Sequence, residues 1–261
     1  MNDYPLSEEQ VDYYQTNGFV ALPDVLDEIE LQDLRVATDE ILATQHSGEI
    51  ERSSGNPEYE QIFVQKVNLW RINEAIGRHV LNTRIAEIAR RLARVDAVRL
   101  WHDHLLTKMP GDGSKQTPWH QDRPYWPMDG LGQLSCWMAL DDVDESNGCM
   151  WFVPRSQTVG LLEPINLVSP QDIFGLVPEE DGFKATPVSV PLFAGNCTFH
   201  NGLTFHHAGP NTTDRPRRAM VTIYTPDGTG FNGNGHVVTD PLGLHEGDKL
   251  DGELFPILAT K

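Results

Sequence analysis

Apolar residues recur at intervals of three or four along two stretches of the first third of the chain, which predicts two long helices. The first runs from about Asp27 to Thr44 and carries Ile29, Leu34, Ala37 and Ile41 on one face. The second follows Asn82, a residue suited to capping a helix, and carries Ile85, Ile88, Ala89 and Leu92. A shorter helix is predicted ahead of them, because Ser7 and Gln10 form a capping-box pattern and Gly18 can end the helix. Phe19–Leu22 predicts a brief strand, and Ser47–Glu60 a polar loop.

After Val95 the pattern changes to short alternating runs separated by Gly, Pro and Asn, which is typical of strands and turns. The predicted strands are Ala97–Thr107, Gln133–Leu140, Cys149–Pro154, Val188–Phe193, Cys197–Phe199, Leu203–His206 and Arg218–Thr225. Many short strands favour a closed or sandwiched β-fold, and the absence of a βαβ pattern argues against a doubly wound sheet. No linker is evident, so we expect a single domain over 1–261, with helical support in 1–95, a β-core in 96–225 and a loop-rich tail in 226–261.

The charge of the chain excludes several classes of partner. The 261 residues carry a formal charge of −18, of which −13 falls in residues 1–60. An acidic protein lacks the basic face that nucleic acids and anionic membranes attract, so we expect neither as a partner. No apolar run approaches the length of a membrane span, and the acidic N-terminus does not resemble a secretory signal. Three cysteines without a paired pattern favour a reducing compartment, so a cytoplasmic location is predicted.

Candidate chemistry is concentrated in a few histidines and acids. His120 and Asp122 form an H-x-D triplet, and in an extended segment residues two apart point to the same side. His206 lies near the end of a predicted strand far downstream. Two histidines and one carboxylate can occupy one face of an octahedral ferrous site and leave three positions open. Arg217 comes next across a turn, and a hairpin would return its guanidinium alongside His206 as a partner for a carboxylate.

Four runs of sequence together resemble the phytanoyl-CoA dioxygenase family of Fe(II)- and 2-oxoglutarate-dependent oxygenases. They are Trp119–Asp122, Cys136–Asp142, Asn147–Pro154 and His206–Asn211 leading to Arg217. The resemblance covers roughly residues 60–225. It implies a double-stranded β-helix (jelly roll, cupin-like), mostly β with α, with the N-terminal helices packed on one sheet.

The resemblance also implies roles for individual residues. His120, Asp122 and His206 match the iron ligands, and Arg217 matches the arginine that pairs with the far carboxylate of 2-oxoglutarate. Trp137, Lys66 and His104 match further positions near the co-substrate. Family members often have Gly and Ser after the third ligand, whereas this chain has His207 and Ala208, so a hydroxyl contact is lost there.

The implied reaction uses Fe(II), 2-oxoglutarate and O2 to hydroxylate an unactivated C–H bond of a small-molecule metabolite, with release of succinate and CO2. Related halogenases lack the carboxylate ligand, so Asp122 favours hydroxylation, while desaturation, ring closure and epimerisation stay open. No Lys/Arg cluster suited to the phosphates of CoA is present, which argues against an acyl-CoA substrate. The protein is expected to be a monomer or a homodimer.

Other interpretations use other residues. His102 and His104 form an H-x-H pair as in cupin metal sites, predicted to share the barrel-facing side of Val98 and Leu100. They could serve a metalloenzyme that ignores 2-oxoglutarate, although pocket-lining roles are favoured. His207 competes with His206, and His200 is a further candidate that is better explained as a satisfied strand-end residue. A non-catalytic binding barrel is the third class. Tyr125 is a candidate pocket residue.

Overall fold

The computed structural model describes residues 3–44, 57–177 and 184–261. Helices in these ranges are α1 (Glu8–Asn17), α2 (Glu28–Ala43), α3 (Pro57–Glu60), α4 (Glu74–Val80) and α5 (Thr83–Ala93). The strands are β1 (Phe19–Leu22), β2 (Val64–Val67), β3 (Ala97–Lys108), β4 (Thr117–His120), β5 (Leu134–Ala139), β6 (Met150–Phe152), β7 (Val188–Val190), β8 (Cys197–Asn201), β9 (His206–Ala208), β10 (Arg217–Pro226) and β11 (Ile257–Thr260). Most of the predicted polar loop Ser47–Glu60 lies outside the described residues, and its last four residues form α3.

Side-chain caps set the helix boundaries as the sequence predicts. Ser7 and Gln10 form a reciprocal capping box at the start of α1, and Gly18 ends that helix in the left-handed conformation. Asp27 caps α2 in the same way, and the Asn82 side chain accepts a hydrogen bond from the backbone at the start of α5. One detail of α2 is wrong: Ile29 is exposed, and the helix buries Leu31, Leu34, Ala37, Thr38 and Ile41 instead.

Seven strands form an antiparallel sheet. Six of them lie in the order β1-β8-β5-β10-β3-β11, and β2 pairs with the second half of β3, beside β11. Its outer face is covered by α1, α2, α4 and α5, and the helices and sheet share one apolar core. The predicted helical layer on one sheet is therefore confirmed. The long strand β3 pairs with β10 on one side, and on its other side with β11 near its start and with β2 near its end.

A second antiparallel sheet with the order β4-β9-β6-β7 faces the inner side of the large sheet. Residues of both sheets share a second apolar cluster and line one cavity of about 400 Å³. Two facing antiparallel sheets give the predicted double-stranded β-helix, and within the described residues both sheets remain open rather than closing into a barrel. No helix in the described part of the chain is long and apolar enough to cross a membrane.

Two strand predictions are corrected by local turns and distant pairing. Leu203–His206 is not a strand, because the Asn201 side chain and carbonyl accept the amides of Leu203 and Thr204 and close a turn. The strand begins at His206. The tail is not all loop, since β11 pairs with β3 at the edge of the large sheet. This pairing carries residues 226–261 back onto the sheet, which local pattern does not reveal.

A β-bulge in β3 changes which residues face the cavity. His102 pairs with Ile223 and Leu100 with Tyr224, so Trp101 is the extra residue. Before the bulge Val98 and Leu100 pack against the helices, whereas after it His102 and His104 line the cavity. The prediction that all four share one face is therefore wrong, although both histidines do face the cavity.

Candidate active site

His120 and His206 lie next to each other on the small sheet, where the end of β4 pairs with the start of β9. Their ring centroids are 4.1 Å apart and both residues are buried. The Nδ1 of His120 is 2.8 Å from the Pro118 carbonyl oxygen, and the Nδ1 of His206 is 2.9 Å from that of Thr204. A carbonyl can only accept, so Nδ1 carries the hydrogen in both rings. Each Nε2 therefore presents a lone pair to the cavity, as metal-binding histidines do.

Asp122 completes this group from a turn rather than from a strand. The strand ends at His120, and Asp122 has helical backbone angles at the start of a 3-10 turn, Arg123–Tyr125. Its Oδ1 lies 3.6 Å from the Nε2 of His120 and 3.4 Å from that of His206. The three ligand atoms lie within 4.8 Å of one another. The expected meeting of His120 and Asp122 thus occurs through a turn, not through alternation along an extended segment.

Two residues of the large sheet hold the other oxygen of Asp122. The Ser135 hydroxyl donates to Oδ2 at 3.0 Å, and the Nε2 of His200 lies 3.2 Å from the same atom. The sequence predicts His200 to be a satisfied strand-end residue, but β8 continues through it and the strand partner of His200 is Ser135. Alternation could have identified Ser135, because it shares a face with Trp137. These contacts aim Oδ1 at the two histidines.

The electrostatics of the group suit a divalent cation. Burial alone would raise the pKa of Asp122, yet His206, His120 and His200 hold that pKa well below its ordinary value. Burial and the neighbouring His206 lower the pKa of His120. The carboxylate is therefore ionised and the His120 imidazole is neutral at neutral pH. These are the protonation states that bind a metal.

Arg217 lies at the far end of the cavity, on the first position of β10. Its guanidinium is buried, sits 5.2 Å over the Trp137 ring, and has Nε and Nη1 without a hydrogen-bond partner among the described residues. Burial lowers the pKa of Arg217 to about 10, so it remains a cation at neutral pH. A buried cation of this kind calls for a carboxylate. The predicted hairpin is wrong, because β9 and β10 belong to different sheets and Arg217 reaches the cavity from the sheet opposite His206.

Lys108 is a buried lysine that the sequence does not single out. It pairs with Arg217 in the register of β3 and β10 and is fully buried. Its amino group donates to the carbonyl oxygens of Ile62 at 2.9 Å and Lys115 at 2.8 Å, and burial together with Arg217 lowers its pKa. A lysine at a strand end gives no sequence signal, since the two carbonyls come from distant segments.

Gln65 occupies the place near the cavity that the sequence predicted for Lys66. Lys66 pairs with Leu105, which packs against the helices, and its ammonium donates to the Thr44 carbonyl oxygen at 3.4 Å. It does not line the cavity, whereas Gln65 does. Neighbours on a strand point to opposite faces, so only one of them can reach the site. A co-substrate contact by Lys66 is therefore not supported by its position.

The remaining candidates line the cavity in positions that exclude them from the ligand group. His104 lies on the cavity wall with Nδ1 3.0 Å from the Gln65 amide nitrogen. His102 packs edge-on against His104, with ring centroids 5.3 Å apart. His207 is hydrogen-bonded through Nδ1 to the Thr117 carbonyl oxygen at 2.7 Å and stacks on Trp119. Neither His102 nor His207 belongs to the three-residue cluster with metal-ligand spacing.

The model of one protein family, phytanoyl-CoA dioxygenase (PhyH), matches residues 14–219. The chain belongs to the phytanoyl-CoA dioxygenase family. A curated relative, methylphosphonate hydroxylase of Gimesia maris, is 26% identical over 226 residues, covering 84% of this chain and 80% of the relative. The family resemblance seen in the sequence motifs is thus confirmed.

Two solved structures of similar proteins cover nearly the whole chain. The non-heme α-ketoglutarate-dependent carbocyclase SnoK from nogalamycin biosynthesis is 29% identical, with a TM-score of 0.81 and coverage of 99% of this chain and 100% of SnoK. The epimerase SnoN, in complex with Fe3+, α-ketoglutarate and nogalamycin RO, is 29% identical, with a TM-score of 0.80 and coverage of 97% and 98%. This PhyH-family chain is accordingly an Fe(II)- and 2-oxoglutarate-dependent dioxygenase.

The residues present fit both groups that the family uses. Two Nε2 lone pairs and one carboxylate oxygen form the donor set that leaves three positions of a ferrous ion open. The unpartnered Nε and Nη1 of Arg217 leave N–H groups that can donate to a carboxylate at the other end of the cavity. Between them the inner face of the large sheet carries the small residues Ala139 and Ala219, which are neighbours in the register.

Proposed function

We propose that His120, Asp122 and His206 bind Fe(II) and that Arg217 binds the far carboxylate of 2-oxoglutarate. The observation that carries the proposal is the convergence of the three ligand atoms within 4.8 Å, opposite a buried arginine with two unpartnered N–H groups. The Trp137 ring packs against one face of the Arg217 guanidinium and helps to orient that group. We further propose that residues 1–261 form one domain, because helices, sheets and tail share continuous cores.

The overall reaction is the hydroxylation of a small-molecule substrate. A C–H bond, O2 and 2-oxoglutarate give the alcohol, succinate and CO2, so one oxygen atom enters the product and the other enters succinate. Iron together with 2-oxoglutarate supplies the oxidising chemistry. Backbone carbonyl groups hold His120 and His206 in one tautomer each, and Ser135 and His200 orient the Asp122 carboxylate. Apolar side chains around the site exclude water.

A second outcome is supported by the solved structures, since SnoK is a carbocyclase and SnoN an epimerase. Hydroxylation, ring closure and epimerisation all begin with the breaking of a C–H bond, and they differ in the later fate of that carbon atom. The mass of the product separates them: hydroxylation adds one oxygen atom, ring closure removes two hydrogen atoms, and epimerisation leaves the mass unchanged. A cupin-type enzyme using His102 and His104 would instead bind metal without any requirement for 2-oxoglutarate.

The test is an anaerobic titration of the protein with Fe(II) and then with 2-oxoglutarate. We expect a weak visible charge-transfer band that requires both additions. Asp122→Ala is expected to lose tight iron binding, and Arg217→Leu to keep iron binding while weakening that of 2-oxoglutarate. Asp112→Ala, a change at an exposed acid of the loop after β3, is the matched control and should behave like the wild type. Unchanged iron affinity in Asp122→Ala would contradict the ligand assignment.

A further inference from the structure

Two basic side chains lie directly opposite each other on the inner face of the large sheet. Lys108, the last residue of β3, pairs with Arg217, the first residue of β10, and both are buried. Side chains of directly opposed residues in an antiparallel pair lie on the same face of the sheet, where like charges repel each other. Burial strengthens this repulsion because little water screens it. The pair can therefore carry two full positive charges only at a cost in free energy.

The amino group of Lys108 is fixed between two backbone segments. Its Nζ lies 2.9 Å from the Ile62 carbonyl oxygen and 2.8 Å from that of Lys115. The stem of the side chain packs against Gly148, where an added Cβ would come within 2.9 Å of the Lys108 Cδ. A neutral amine has two N–H groups and an ammonium has three, so the two carbonyl groups satisfy the neutral form completely. Among the residues that the structure describes, no carboxylate interacts with Lys108.

Arg217 is the member of the pair that keeps its charge. A guanidinium holds its proton more strongly than an ammonium, and burial lowers the pKa of Arg217 only to about 10. Asp141, the acid that favours this charge, is itself held by Arg218, with 2.6 Å between Oδ1 and Nη2. Burial and the charge of Arg217 hold the pKa of the Lys108 amine well below its ordinary value. Before a carboxylate binds, the positive charge of the pair is therefore concentrated on Arg217.

We propose that Lys108 takes up a proton when the far carboxylate of 2-oxoglutarate binds Arg217. This proposal rests on the proposed function, since it takes Arg217 as the partner of that carboxylate. The carboxylate brings a negative charge beside the pair, which favours the charged form of the lysine. The proton comes from the solvent and adds to the lone pair of Nζ. Lys108 is not among the described residues that line the cavity, so it acts on the co-substrate through its charge and not by contact.

Proton uptake makes the affinity for 2-oxoglutarate depend on pH in one direction. Bound 2-oxoglutarate raises the pKa of Lys108 above its value in the free protein, so protonation of Lys108 tightens the binding of 2-oxoglutarate by the same factor. The affinity is therefore highest below both pKa values, and it falls as the pH rises from the pKa of the free protein to that of the complex. Uptake of one proton corresponds to a fall of about tenfold per pH unit.

Three other titratable groups face the pair from neighbouring elements. His207 on β9 interacts with Lys108, and burial is the main cause that lowers its pKa, so its imidazole is mainly neutral above pH 7. Cys149, just before β6, interacts with Arg217, and burial raises the pKa of its thiol to about 11. Asp141 is paired with Arg218. A proton taken up between about pH 7 and about pH 9 is therefore assigned to Lys108.

The experiment counts protons with an anaerobic pH-stat, which records the acid needed to hold the pH of unbuffered, Fe(II)-loaded protein when a ligand is added to saturation. Two ligands are compared: 2-oxoglutarate, and 2-oxopentanoate, which has the same keto-acid end but a methyl group in place of the far carboxylate. We expect 2-oxoglutarate to cause the uptake of about one proton more than 2-oxopentanoate at its maximum between pH 7 and pH 9. Equal uptake for the two ligands throughout this range would overturn the proposal.

The variant Lys108→Gln tests the assignment to this residue. Glutamine keeps two N–H donors for the carbonyl groups of Ile62 and Lys115, but it cannot take up a proton. We expect the extra proton uptake to disappear and the affinity for 2-oxoglutarate to become independent of pH, while iron affinity stays unchanged. Lys249→Gln, at an exposed lysine of the tail, is the matched control. Extra uptake as large as in the wild type would contradict the role of Lys108. If Lys108→Gln does not fold, the comparison of the two ligands on the wild type decides.

The same measurements separate this proposal from the proposed function. A visible band that requires Fe(II) and 2-oxoglutarate, with weakened 2-oxoglutarate binding in Arg217→Leu but no extra proton uptake in the wild type, would overturn only the role of Lys108. Absence of the band, or unchanged affinity for 2-oxoglutarate in Arg217→Leu, would contradict the metal and co-substrate assignment, and the role of Lys108 with it.

Discussion

The two faces of the seven-stranded sheet are built from alternate residues of the same strands, yet they differ in almost every property. The outer face carries Leu134, Cys136, Met138, Phe199 and Met220 against the helices. The inner face carries Ser135, Trp137, His200, Arg217 and His104. Apolar burial on one face stabilises the strands, so the other face can hold buried polar groups whose own contribution to stability is small or negative. In each strand, therefore, residues that stabilise the fold alternate with residues that form the site.

The largest expected effect comes from a substitution that leaves a void between the outer face of the sheet and the helices. Phe199→Ala should lower the free energy of unfolding by about 3–5 kcal/mol, because a fully buried ring is replaced by a void between sheet and helices. Activity per folded molecule should be retained, since the neighbouring inner-face residues keep their register. Chemical denaturation and turnover at low temperature check this. A folded variant without activity would contradict the separation of the two faces.

The buried His79 of the helical layer makes the free energy of unfolding of the protein depend on pH. Burial, with a contribution from Arg84, lowers the pKa of His79 to about 4. The unfolded chain takes up a proton near pH 6.5 and the folded chain does not, so stability is lost as the pH falls from about 6.5 to about 4. The loss is on the order of 3 kcal/mol at the acid end.

The variant His79→Leu isolates this effect from other groups. Buried Asp103, whose pKa burial raises to about 7, acts in the opposite sense, because its contribution is lost as the pH rises from about 4 to about 7. The difference in unfolding free energy between wild type and variant cancels the Asp103 contribution. That difference should shift against the wild type between pH 7 and pH 4. Parallel pH profiles of the two proteins would exclude the effect.

On the inner face, His200→Leu should weaken iron binding by about 10–100-fold with little change in the melting temperature. The imidazole steadies the Asp122 Oδ2, and leucine removes that support while preserving bulk. Iron affinity is measured by competition with a chelator, and the melting temperature by calorimetry of the metal-free protein. His245→Leu serves as the control. A loss of stability comparable to that of Phe199→Ala would show that the inner face is also structural.

The smallest effect is expected where the cavity wall meets the loop 165–168. Tyr125→Phe removes the hydrogen bond to the Ile165 carbonyl oxygen, worth about 0.5–1.5 kcal/mol. The KM for substrate should rise a few-fold while the affinity for iron stays constant, because the tie holds a wall and not a ligand. Steady-state kinetics with the natural or a surrogate substrate provide the measurement. An altered iron affinity would contradict this division.

Local signals in the sequence predict much of the helical layer and the motifs of the site. The capping residues Ser7, Asp27 and Asn82 fix helix starts through contacts with their own next turn. The motif residues His120, Asp122 and His206 do converge in space. The features that failed in prediction depend on distant partners or on side chains in turns: the pairing of β11 with β3, the bulge at Trp101, and the turn closed by Asn201.

The sequence by itself determined the alternation that gives each strand an apolar and a polar side, the caps of the helices, and the family to which the chain belongs. Only the tertiary structure decided that Gln65 rather than Lys66 reaches the cavity, that Ser135 and His200 hold Asp122, and that Arg217 faces His206 from the opposite sheet. The physical reason is that periodicity and caps are short-range properties of the backbone. Register, bulges and sheet facing are set by contacts between residues far apart in the chain.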